Sequence, residues 1–118
     1  MAEPELGSAA VREEIEREIL RVHEEAYGTT PNTVQVHLVD DVVLVLIDVE
    51  LSTAERTLLD AGRGDAVKAT RETFQEAIGP TFTAIAERAT GRTVISFVSH
   101  MNVDPPFAVE LFRLKPHR

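Results

Sequence analysis

The chain has 118 residues, 43% apolar and 27% charged, which is enough for one buried core, too little for two, and too balanced for wholesale disorder or a fibrous chain. A formal charge of -8 repels phosphate backbones and anionic lipid, so nucleic acid is not the expected partner. With no cysteine, disulfides, thiolate metal sites and cysteine nucleophiles are excluded together, and the fold must hold by packing.

The opening MAEPELGSAA has neither a basic flank nor an apolar run, and the longest strongly apolar stretch, Val42 to Ile47, is too short to span a bilayer. A cytoplasmic domain with no direct membrane insertion is therefore expected. Residues 1–8 read as a flexible lead-in ending at Ser8, a candidate N-cap; residues 9–115 read as one domain, and residues 116–118 as a basic tail. Val11, Ile15, Ile19, Val22 and Ala26 recur at spacings of three and four, which predicts an amphipathic helix with a narrow apolar stripe, closed by Gly28. A stripe that narrow suits docking onto a sheet or pairing with a second copy.

Thr33 to Val39 alternates, Asp40-Asp41 supplies a two-residue turn, and Val42 to about Leu51 starts apolar on both faces. The second of these strands is predicted to be central and covered on both sides at its start. Ser52 and Glu55 stand at capping-box spacing and open a short helix that Gly62-Arg63-Gly64 ends. Asp65 then caps a helix with the stripe Val67, Thr70 or Arg71, Phe74, Ala77 and Ile78, which Gly79-Pro80 either kinks or ends and restarts before Phe82, Ile85, Ala86 and Ala89. Thr93 to Met101 and Phe107 to Leu114 form a closing hairpin, the first with Ile95 and Phe97 on one face and Val94, Val98 and His100 on the other. Its prolines, Pro105 and Pro106, stop the pairing at the turn. The order α-ββ-α-α(-α)-ββ predicts an α+β fold: a four-stranded, mainly antiparallel sheet from two hairpins, with helices largely on one face.

The residues that carry chemistry are few. His37 and His100 would face each other if the hairpins were neighbours, and with Asp40, Asp41 or Asp104 would offer oxygen and nitrogen ligands, although their spacing matches no metal signature. Ser99, His100 and Asp104 have the letters of a hydrolase triad, yet neighbouring strand residues point to opposite faces and no nucleophile elbow is present. Gly62-Arg63-Gly64-Asp65 lacks both phosphate-binding fingerprints and reads as a helix-joining loop. Asp40, Asp41 and the acidic face with Glu13, Glu16, Glu24 and Glu25 read as solvated. These readings disfavour an enzyme, imply no cofactor, and favour partner binding or self-association.

The closing stretch, Thr90-Gly91-Arg92-Thr93-Val94-Ile95-Ser96-Phe97 with Ser99-His100-Met101-Asn102-Val103-Asp104-Pro105 and Ala108-Val109-Glu110-Leu111-Phe112, resembles the end of an MpsC-like domain. Tyr27-Gly28 with Pro31, the Asp40-Asp41 hairpin and Leu51-Ser52-x-x-Glu55 extend the resemblance across nearly the whole chain from Val11. The family takes its name from a proposed sodium-translocating, membrane-potential-generating system. The resemblance implies a non-enzymatic accessory or regulatory role beside a membrane cation or bicarbonate transport system, with a membrane transport protein as partner, and it carries over no catalytic residue. Two readings follow: a homodimeric protein-binding domain, or a small-ligand or metal-ion sensor using the loop from Ser99 to Asp104 with His37. Contact residues for either are His37, Ser99, His100, Asn102 and Asp104.

Overall fold

The computed structural model describes residues 8–116; the lead-in over residues 1–7 and the tail residues 117–118 lie outside them. The elements run α1 (Ala9–Tyr27), β1 (Thr33–Val39), β2 (Val42–Asp48), α2 (Thr53–Asp60), α3 (Gly64–Thr90), β3 (Val94–Val103) and β4 (Pro106–Leu114). All three strand pairings are antiparallel, in the order β1-β2-β4-β3, so the expected α+β architecture is the one found.

Local chemistry explains the helix ends. The Ser8 hydroxyl accepts from the Val11 amide, and Gly28 closes α1 in the left-handed region at φ 73°. Ser52 and Glu55 complete the capping box of α2. Asp65 does not cap α3: the helix already starts at Gly64, and Asp65 sits in the first turn, 3.5 Å from the Arg63 guanidinium. Nor does Pro80 end the helix, which runs from Gly64 to Thr90 with Pro80 inside it. Pro80 has no N–H to donate to the Glu76 carbonyl, and buried Val67 before it and Phe82, Ile85 and Ala86 after it pack the helix onto the sheet.

The core lies between the helices and one face of the sheet. Val11, Ile15 and Ile19 of α1 and Val67, Phe82, Ile85 and Ala86 of α3 meet Val36, Val43, Val45, Ile47, Met101, Ala108 and Phe112. Of the two alternatives on the α3 stripe the fold buries Arg71, and contrary to the apolar pattern it buries Gln75 and leaves Phe74 39% exposed. A register shift between Val94 and Ser96 turns Ile95 outward, off the Phe97 and Met101 face. Pro106 pairs with Val103, so the closing turn is only Asp104-Pro105, a cis peptide, and pairing extends further than the prolines suggest.

β2 is central, as expected, but helices cover only one of its faces. Val43, Val45 and Ile47 are buried, while Val42, Leu44 and Leu46 look out from a sheet face that no element among the described residues covers.

The β1–β2 turn is tied to the end of α3. Buried Arg92 donates to Asp41 Oδ1 at 2.6 Å and to the Lys115 carbonyl at 2.7 Å, so Asp41 is a clamp and not merely a solvated turn residue.

Candidate functional site

A line of polar groups runs through the layer between helices and sheet. It begins at Glu55, which reaches back to the Ser52 amide and also accepts from Arg71 Nε at 2.6 Å and Arg71 Nη2 at 2.7 Å. Burial raises the Glu55 pKa, but the Arg71 and Ser52 hydrogen bonds outweigh it and hold the carboxyl below its ordinary value. The Arg71 guanidinium also lies 4.2 Å over the Tyr27 ring, which packs at 4.5 Å against His23 and 5.1 Å against Phe74. Burial pushes Tyr27 up to about 12, and burial with the Arg71 charge pushes His23 down to about 4.

Deeper along the same line sits Glu110, 2% exposed, on the inward phase of β4 between Ala108 and Phe112. Gln75 Nε2 approaches its Oε1 at 3.5 Å, and Ser99 is its cross-strand partner on β3. Burial pushes the Glu110 carboxyl up to about 7 even though Ser99 and Gln75 favour its ionised form. Ser99 lies close enough to steady the carboxylate, yet neither Glu110 Oε2 nor Ser99 Oγ makes a hydrogen bond of full geometry among the described residues.

Gln75 and Ser99 also line a groove of about 800 Å³ between α3 and β3. Its other lining residues are Glu72, Glu76 and Glu87, Gly79 and Pro80, Thr83 and Ala84, and the Phe97 ring. Gly79 permits the close approach of that ring, since a Cβ there would stand 3.1 Å from Phe97 Cε2. Every charged residue on the lining is an acid.

The structure does not bring the sequence-selected residues together. Ser99 faces the helices while His100 faces the open side, as strand alternation requires. His37 shares that open side but lies on the opposite edge strand, roughly 14 Å away across three strand spacings. Asn102 Nδ2 donates to the Pro105 carbonyl at 2.7 Å and so staples the turn in which Asp104 stands exposed. Among the described residues no group of three or more His, Asp or Glu side chains could hold a metal ion.

Sequence reading offered Arg71 only as an alternative to Thr70 on the α3 stripe and assigned no role to Arg71, Gln75 or Glu110. One signal was available: Glu110 is the acid that keeps phase with Ala108 and Phe112 on a strand whose inward face is otherwise apolar.

Chemically, the groove offers carboxylates, an amide and a hydroxyl beside an aromatic floor, a set suited to holding a cationic group. Among the described residues no helix is long and apolar enough to cross a membrane. No curated protein and no solved structure gives a significant match to the chain. Residues 8–116 do match a family described as "Na+-translocating membrane potential-generating system (MpsC)", and with nearly the whole chain covered, the protein belongs to the MpsC family.

Proposed function

We propose that this domain acts without catalysis, as a homodimeric accessory or regulatory component working by protein–protein contact beside the Na+-translocating system its family is named for. The observation that carries this reading is the uncovered face of the sheet. Leu44 and Leu46 of β2 lie beside Leu111 and Val109 of β4, and Val98 and Val39 on the edge strands are 56% and 61% exposed. A contiguous apolar surface of this kind marks an interaction site.

Its charges favour a second copy as the occupant. Arg113 stands at one end of the open face, in register with Val42, and Asp48 at the other, in register with Phe107; both are exposed. A two-fold axis lying in the interface and perpendicular to the strands reverses one sheet over the other. Leu44 then lies over Leu46, Leu111 over Val109, and each Arg113 beside Asp48 of the second copy. Stacking of this kind supplies the second cover that β2's apolar run calls for.

Light scattering across a dilution series tests the reading. A dimer mass that falls to monomer on dilution, and a Leu111→Asp variant that is monomeric with an unchanged circular dichroism spectrum, are expected. A strictly monomeric wild-type chain at high concentration contradicts it.

A further inference from the structure

We infer that the groove between α3 and β3 is a docking site for an extended, lysine- or arginine-bearing segment of another protein, which adds as a fifth strand to the free edge of β3. This inference does not depend on the dimer, which uses a different face.

The site is built from an edge and a wall. β3 pairs only with β4, so one side of its backbone lacks a strand partner among the described residues. Natural edge strands are usually blunted by charges or proline. β3 carries a bulge between Val94 and Ser96, but from Phe97 to Val103 it has no Lys, Arg, Asp, Glu or Pro to blunt its edge. α3 stands over this edge and leaves the groove of about 800 Å³ between them. A slot between a helix and an edge strand is the geometry of strand addition, in which main-chain bonds give affinity and alternate side chains give specificity.

Charge selects the occupant. Glu72, Glu76 and Glu87 face the slot with no basic residue on its lining. Glu87 already accepts from the Val94 amide at 2.9 Å, whereas Glu72 and Glu76 are exposed and have no partner among the described residues. At the floor, Ser99 lines the groove, and buried Glu110, its cross-strand neighbour, lies behind it and off the lining. Side chains of an added strand that alternate toward α3 meet the exposed Glu72 and Glu76 carboxylates, and basic ones pair with them. A second copy does not fit here: pairing β3 with its own copy about a two-fold would set one Glu72 and Glu76 wall against the other. The recess beside the opposite edge, β1, is about 370 Å³ and sets Arg17 among Glu13 and Glu16, so it lacks a wall of one sign.

The test titrates the 15N-labelled full chain with a capped peptide of alternating lysine and valine, roughly eight residues long to match a strand. Shift changes and slowed amide exchange along β3 are expected. Affinity should fall by about tenfold or more in the E72K/E76K variant, whose exposed positions leave the fold intact, and as much when alternate peptide amides are N-methylated. Absence of binding overturns the inference. So does binding whose shifts map to the open sheet face, or binding that survives both the charge reversal and the methylation.

Discussion

Arg71 of α3 holds Glu55 of α2 through two hydrogen bonds from Nε and Nη2, with the arginine side chain 3% exposed and the carboxylate 20%. The pair joins the capping box of one helix to the buried face of the next, and the same guanidinium covers Tyr27. Lysine cannot reproduce a two-pronged, ring-stacked contact. Arg71→Lys is expected to cost about 2 kcal/mol, and Arg71→Ala about 3–5 kcal/mol because it leaves Glu55 unpaired and a cavity behind. Urea denaturation followed by circular dichroism measures both.

Glu110 and His23 give stability two opposed pH dependences. Glu110 keeps its proton to about 7 in the folded chain but loses it near 4.5 when unfolded, so its contribution to stability falls as pH rises from about 4.5 to 7. His23 stays neutral down to about 4 when folded but takes a proton near 6.5 when unfolded, so its contribution falls as pH drops from about 6.5 to 4. Glu110→Gln removes the first dependence and keeps the shape. The variant should exceed wild type by about 1–3 kcal/mol at pH 8 and match it below pH 5. Thermal melts across that range check it, and an unchanged difference at all pH values would refute the assignment.

Arg92 ties the end of α3 to the β1–β2 turn and to the carbonyl of Lys115. Asp41→Asn keeps the turn geometry but leaves the buried guanidinium without its counter-charge. A loss of about 1–3 kcal/mol is expected, together with faster amide exchange in the β1–β2 turn.

Much of the fold was legible because its signals are local. Ser8, Gly28, the Ser52 and Glu55 pair and Gly91 each act within one turn of helix, and each stands where its chemistry requires. What was not legible depends on distant partners. An apolar count selects Phe74 for the α3 stripe and leaves Thr70 or Arg71 open; the fold exposes Phe74 and buries Arg71 and Gln75, whose partners Glu55 and Glu110 lie 16 and 35 residues away. The local cost of Pro80 leaves a kink and a helix end as alternatives, and the helix continues through it from Gly64 to Thr90. Ser99 and His100 were separable from strand alternation alone. That Ser99 opens onto a groove follows only from β3 being an edge with α3 above it, which no periodicity encodes.

The open sheet face is tested most directly by exchanging its two end charges and measuring dimer affinity by sedimentation. Asp48→Arg and Arg113→Asp each set like charges together across the two-fold and should weaken the dimer by about tenfold, while the double variant restores it. Additive weakening in the double variant, or a dimer indifferent to all three changes, would contradict self-association through this face.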